Sequence, residues 1–310
     1  MHFVRLPLPP AASLALAALA AAMPRAANAA RWGEVGHRII GEAAARALPA
    51  EMPAFFRNAV ADFAYLNPEP DRWRDQGEVT LDPALGIGGG FDHFIDFEGV
   101  PDTAFNAPTR YDFLLQLRAV NKDHTAGLLP YRILELTQRL RVEWRLWRTA
   151  TDPVTKGRIE ARLINDAGIL GHYVGDGANP HHTTIHHNGW IGANPKGYAT
   201  DRRTHYRFEG VYVANHMTLG DVQPRVAASP TVFDNVRVAT LAYLRSTFAL
   251  VEPLYDLDKS EAFDEKTQGA AHREFVTKRL AAGATMLRDL WVTAYMTSSN
   301  PVPARTRGPG

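Results

Sequence analysis

Apolar residues in this chain recur every three to four positions far more often than every second one, which is the spacing of buried helix faces rather than of half-buried strands. Glu34 to Ala50 carries Val35, Ile39, Ile40, Ala43 and Ala44 and predicts a first helix that ends near Pro53. Tyr131 to Thr149 repeats Ile133, Leu134, Leu136, Leu140, Trp144 and Trp147 at helical spacing. Glu160 to Val174 is apolar at Leu163, Ile164, Ala167, Ile169 and Leu170, and it delivers His172 near its C-terminal end. Further helices are expected over Val232 to Leu250 and Ala262 to Thr297, the last with a Val276, Leu280, Gly283, Leu287, Trp291 stripe that reads as core. Glycine-rich stretches at 86–90 and 188–197 interrupt the pattern, and long loops in a compact domain are usually functional or disordered. No internal repeat is visible. The expectation is an all-α fold, a single mainly helical domain whose loops carry the site.

Composition narrows the function classes more than it changes the fold. The 310 residues, 45% of them hydrophobic, suffice for one large domain. A net charge of +1 leaves no strong electrostatic footprint for nucleic acid or membrane. The absence of cysteine removes disulfides, thiolate zinc fingers and cysteine nucleophiles. Arg5, an alanine- and leucine-rich run from Leu6 to Met23, and Ala27-Asn28-Ala29 read as a secretory signal over 1–29. Pro9 and Pro10 interrupt that run, which is short for a bilayer span, so an anchor is disfavoured. The mature domain is then 30–297, followed by a Pro-, Gly- and Arg-rich tail over 298–310, and the product is periplasmic or secreted with no remaining transmembrane segment. Nothing in the sequence implies a stable protein partner.

The candidate chemistry is concentrated between 172 and 209. His172 and Asp176 are four apart, His182 follows six residues later, and His205 with Glu209 repeats the four-residue step. Residues four apart on a helix share a face, so each pair points a nitrogen and an oxygen the same way. That donor set suits a borderline metal such as zinc when no thiolate is offered. Upstream candidates are His37, Asp71 or Asp75, and His93; His181 rivals His182. Singly, each has a bland reading as a hydrogen-bonding histidine, a turn residue after proline or a surface pair. Together, beside the strongly apolar segment 163–174, they indicate a half-buried site in which a carboxylate needs a partner.

Four classes fit such a constellation unequally. A His-Asp-type phosphohydrolase would show an adjacent His-Asp dipeptide, and the chain has Asp-His at 92–93 and 123–124 but never the reverse order. A serine esterase would show a Gly-x-Ser-x-Gly elbow, which is absent. A non-catalytic zinc carrier could use interchangeable histidines such as His181, His182, His186 and His187, but would not require His93 and an upstream carboxylate. A multinuclear zinc phosphoesterase is the fourth, and turnover of a phosphodiester, not metal content, separates it from a carrier.

Five motifs occur in order: Trp32-Gly-x-x-Gly-His37, Asp71-x-Trp-Arg74, His93-Phe-Ile-Asp96, His172-x-x-x-Asp176-x-x-x-Pro180-x-His182 and His205-x-x-x-Glu209. This series resembles the zinc-dependent superfamily that unites bacterial phospholipase C with single-strand-specific nucleases of the S-one/P-one type, and Met286-Leu-Arg-Asp-Leu-Trp291 is similar to its closing helix. The resemblance implies a mostly helical fold around a cleft with three Zn²⁺ ions. It implies that Asp71, His93, His172 and Asp176 hold one ion, and that Asp176 bridges to a second held by His37 and the Trp32 backbone. The third would fall to His182, His205 and Glu209. It favours Asp71 over Asp75, through the Asp71-x-Trp-Arg74 pattern, and His182 over His181, through spacing.

On that reading a zinc-activated water attacks a phosphodiester, Asp71 orients it and takes its proton, and Arg74 either contacts phosphate or clamps Asp71. One departure matters. Cleavage after Ala29 would leave Ala30 and Arg31 ahead of Trp32, whose amide nitrogen would then be a poor ligand. For substrate, Trp-Gly-x-x-Gly-His and His-Phe-Ile-Asp are similar to the nuclease branch, and Glu209 is similar to the phospholipase branch. The expectation is a nuclease cleaving single-stranded DNA or RNA, with Trp190, Tyr198 and Tyr206 as candidate stacking platforms. The alternative is a phospholipase C acting on phosphatidylcholine-like lipids.

Overall fold

Helices make up the regular structure of the computed structural model, which describes residues 33–82, 84, 89–120 and 126–301; no strand occurs among the described residues beyond a single bridge between His187 and Gly189. The segment expected to be a secretory signal, Trp32, positions 86–88 of the first glycine-rich loop and 302–310 of the tail lie outside the described residues. The chain is all-α, as its apolar spacing predicts.

Helix α1 (Gly33–Arg46) buries Ile39, Ile40, Ala43 and Ala44 and stops short of the expected Ala50. Pro49 accounts for this, because the residue before a proline is pushed out of the helical region. The short helices α2 (Val60–Leu66) and α3 (Glu69–Arg72) follow, then α4 (Arg110–Val120), none of which the apolar spacing foretells. Helix α5 (Leu129–Thr149) begins two residues before the predicted start, since Pro130 fits the first turn, where no N–H is needed. Helix α6 (Pro153–Asp176) is longer than expected at both ends. Asp152 caps it by accepting from the Thr155 amide at 2.7 Å, with Pro153 at the first position.

Helix α7 (Val236–Phe248) is capped by Asn235, and α8 (Val251–Ser260) continues where Pro253 would read as a breaker, tolerated in the first turn. Helix α9 (Ala270–Thr297) starts eight residues later than Ala262, because Asp264 instead accepts from the amides of Lys266 and Thr267 in a tight turn. At its far end Arg148 donates to the Ser298 hydroxyl at 2.8 Å.

The core lies where α1, α2, α5, α6 and α9 meet. The fully buried rings of Phe56, Phe63, Trp144 and Trp291 interlock with centroids 4.6–5.5 Å apart. The Trp291 indole donates to the Ala167 carbonyl at 3.2 Å, tying α9 to α6. Val276, Leu280, Leu287 and Trp291 are all buried, so the predicted α9 stripe is core.

One face of α6 has an unusual task. A Cβ at Gly168 would lie 2.4 Å from the Leu66 Cβ, at Gly171 2.3 Å from the Asn67 Nδ2, and at Gly175 2.8 Å from the His37 Nδ1. Three glycines on one face therefore let the end of α2 and the start of α1 press directly onto the helix that carries His172 and Asp176.

Candidate metal centre

Five stretches of chain converge on the C-terminal turn of α6. His37 comes from α1, Asp71 from α3, and His93 from the end of a short 3₁₀ turn, Gly89–His93. His182 lies in a second 3₁₀ turn, Pro180–Thr183, while His205 and Glu209 sit at the start of a π-helical turn, Tyr206–Tyr212, and within it. Every predicted ligand among the described residues thus reaches one locus, in three groups: His37, His172 and Asp176; Asp71, His93 and His172; His182, His205 and Glu209. Within each group the ligand atoms lie within 4.8 Å of one another. Trp32, expected to complete one set, lies outside the described residues.

Asp176, almost wholly buried, joins the groups. Its Oδ2 lies 2.9 Å from the His93 Nδ1 and 3.3 Å from the His172 Nε2. Its Oδ1 lies 3.5 Å from the His37 Nε2 and 3.6 Å from the His182 Nε2. The remaining group is tied by the His205 Nε2 at 3.0 Å and the His182 Nε2 at 3.5 Å from the Glu209 Oε2. Asp71 stands at the rim, its side chain 19% exposed, with its Oδ1 4.0 Å from the His172 Nε2. Arg74 Nη1 lies 3.9 Å from the same oxygen, within reach of the clamping arrangement, one of the two roles expected of it.

The fit of a metal ion follows from where the protons sit. The Nδ1 of His172 faces the Asn67 carbonyl at 2.9 Å, and the Nδ1 of His182 faces the His93 carbonyl at 2.8 Å. A carbonyl only accepts, so both histidines donate from Nδ1 and turn an Nε2 lone pair inward. There, Nε2 of His172 meets Nδ1 of His93 at 3.0 Å, and Nε2 of His182 meets Nε2 of His205 at 3.2 Å. Two ligands of one tetrahedral ion, each bonded at 2.0–2.1 Å, are about 3.3 Å apart. Both ring nitrogens of His37 are buried without a hydrogen-bond partner. Inward lone pairs, an orphaned imidazole and buried carboxylates make a donor set that requires positive charge, and nitrogen with oxygen and no sulfur suits zinc.

The electrostatics agree. Burial pulls His172 down to about 3, against the pull of Asp176, so its ring is neutral and free to ligate. Burial opposes ionisation of Asp176 and Glu209, yet the surrounding histidines hold both well below the carboxylate range. Asp71 is lowered too, with His172 and His93 overcoming burial. At His182 burial disfavours the cation, but Asp176 and Glu209 prevail and lift it to about 9. The carboxylates around that ring hold a positive charge in place, which a proton supplies alone and a divalent ion supplies in its stead.

The two rivals fall elsewhere. Asp75 caps the helix Gln76–Leu81, accepting from the amides of Gly77 and Glu78 at 2.9 and 3.1 Å. His181 is packed against His205, Phe208 and Tyr255 and belongs to none of the three groups. Of the loop aromatics, Trp190 is stacked on His186 at 3.8 Å and donates to the Ala193 carbonyl, and Tyr198 is 4% exposed and donates to Asp256. Both are packing residues; Tyr206 is 38% and Trp73 36% exposed.

Sequence reasoning missed the groups that orient the ligands. Asn179 donates from Nδ2 to the Glu209 Oε2 at 3.0 Å and accepts from the His181 amide at 3.0 Å. The Asn-Pro step before His181 was the available signal for it. The Asn67 and His93 carbonyls had none, because a backbone acceptor leaves no trace in residue type. Asp96, pushed up to about 7 by burial and Glu98 while His182 pulls it down, is a further carboxyl beside the cluster.

No protein-family model matches the chain, and no curated protein matches it in sequence. Among solved structures it is similar to the alpha toxin from Clostridium absonum, with 14% identity and a TM-score of 0.40, over 87% of this chain and 65% of that one. The chain therefore spans a little under two thirds of the toxin's length, and a likeness this distant decides nothing about activity.

Proposed function

We propose that the chain is a zinc-dependent phosphodiesterase. The observation that carries the reading is the meeting of three His/acid groups at Asp176, with imidazole lone pairs directed inward by backbone carbonyls. His37, His93, His172, Asp176 and Asp71 would hold two ions, and His182, His205 and Glu209 a third. Bound zinc supplies a water that ionises near neutral pH and positive charge for a phosphate. Asp71, held ionised and partly exposed at the rim, would orient that water and accept its proton. Arg74 keeps Asp71 oriented. The apolar shell under the site, including Tyr173 and Val174, excludes bulk water from the buried carboxylates.

Two substrate classes compete, and a phospholipid is the better supported. Two of the three aromatics offered as base platforms are absorbed in loop packing, which weakens the nuclease reading. Conversely, Arg110 at the start of α4 binds Asp92, the neighbour of His93, at 2.8 Å. The same helix leaves Tyr111 72%, Leu114 40% and Leu115 68% exposed on one face, as an interfacial helix does. Exposed Tyr206 and Trp73 are what favours the second reading, a single-strand nuclease.

The purified protein should be assayed on phosphatidylcholine, single-stranded DNA and RNA, with zinc and with chelator. Chelator-sensitive cleavage of the lipid is expected; cleavage of nucleic acid alone would reverse the substrate choice, and cleavage of none would remove the enzyme reading. His172→Ala should lose bound zinc and reduce turnover by at least about 100-fold. Unchanged metal content in that variant would sink the ligand assignment.

A further inference from the structure

A cavity of about 440 Å³ lies between α7, α9 and the segment around Arg225, formed by none of the metal-centre ligands. Arg225, Lys278 and Arg279 line it, together with an apolar surface that includes Tyr243, Ala282 and Met286. Its walls are fixed. The Tyr243 hydroxyl donates to the Val174 carbonyl at 2.7 Å, the Thr285 hydroxyl accepts from the Ala227 amide at 3.2 Å, and the buried Arg288 donates to the Ala227 and Ser229 carbonyls.

The charges do not balance. Glu274 serves both Arg225, at 3.0 Å, and Lys278, at 3.3 Å. Asp289, on the cavity wall, is committed to Arg288 at 2.7 Å. No carboxylate lies within salt-bridge distance of Arg279 among the described residues, and burial pulls its guanidinium below the ordinary arginine value, opposed only by Tyr243. A half-buried guanidinium without a counter-ion, with a second guanidinium and an ammonium at the same cavity, is matched by a doubly charged tetrahedral oxyanion. The volume exceeds that of a bare phosphate and falls within the range of small-molecule sites, and the tyrosine and methionine surface suits an organic substituent.

We propose that this cavity is a binding site for a small phosphomonoester, with Arg279 as its principal anion ligand and Tyr243 and Met286 receiving the organic part. It is a second site that shares no residue with the metal centre, and it stands whether or not zinc proves to be the metal.

Calorimetric titration of the zinc-loaded full chain with phenyl phosphate tests it. A class of binding is expected that Arg279→Gln weakens by about tenfold or more, that Arg279→Lys largely retains, and that inorganic phosphate fills more weakly. Zinc content and melting temperature report whether each variant is folded. Should Arg279→Gln not fold, the R225Q/K278Q double variant, altered at exposed positions, reports the same class. Titrations of wild type and variants that coincide would overturn the site, and inorganic phosphate binding as tightly as phenyl phosphate would overturn the ligand class.

Discussion

A histidine that donates from Nδ1 to a backbone carbonyl has its other nitrogen aimed before any ligand arrives. His172 and His182 are both held this way, by Asn67 and by His93. The arrangement extends to the carboxylate Glu209, where Asn179 donates to the oxygen that also faces His182 and His205. Groups of this kind typically account for 10–100-fold in metal affinity. Asn179→Ala should therefore weaken the zinc proposed for His182, His205 and Glu209 by about 10–100-fold in a chelator competition, with the other equivalents unaffected. Asn179→Asp keeps the cap on the Pro180–Thr183 turn but sets a negative charge against Glu209, so it should change metal affinity without the loss of the turn. Equal zinc affinity in wild type and both variants would remove the role assigned to Asn179.

At the scale of elements, α6 is both scaffold and ligand donor, and its glycines decide how near its partners come. The His172 and Asp176 pair was legible in sequence because a four-residue step on a helix has one geometric meaning. The glycine face was not, since a missing side chain carries no periodic signal. Its purpose appears only when Asn67 and His37 are seen lying where Cβ atoms would be. Long helices were legible for the same reason as the pair, whereas α2, α3 and α4 are too short or too polar to declare a period. Boundaries failed where prolines and caps, rather than apolar spacing, set them: Pro49 shortened α1 and Asp152 lengthened α6. Gly175→Ala puts a methyl group 2.8 Å from the His37 Nδ1. It should destabilise the fold by about 1–3 kcal/mol in denaturant titration and displace His37 enough to lower zinc stoichiometry. Stability and metal content equal to wild type would show that α1 can retreat freely.

Across the whole molecule, a second buried polar feature contributes to the response to pH. Glu143 on α5 and Asp166 on α6 are both buried, with Arg139 2.7 Å from Asp166 and Arg162 3.9 Å from Glu143. Burial first, then Asp166, pushes Glu143 up to about 7, against the pull of both arginines. Because the folded value lies above the unfolded one, the unfolded chain loses this proton first as pH rises. Stability falls from about pH 4.5 to about pH 7 on this account and stays lowered above it. Glu143→Gln should flatten that fall and raise stability at pH 8 by about 1–2 kcal/mol, read from urea midpoints at pH 5 and 8; parallel pH profiles would assign the effect elsewhere. The metal ligands, by contrast, come from positions as far apart as His37 and Glu209, in a chain with no cysteine. In the language of polymer networks, each bound ion is a multivalent cross-link that closes loops no disulfide is present to close. Zinc at 1,000 times its dissociation constant would then add about 4 kcal/mol of stability, and removing it should lower the calorimetric melting temperature by about 10 °C. The same centre that would cut a phosphodiester would thus be the fastener of the fold around it.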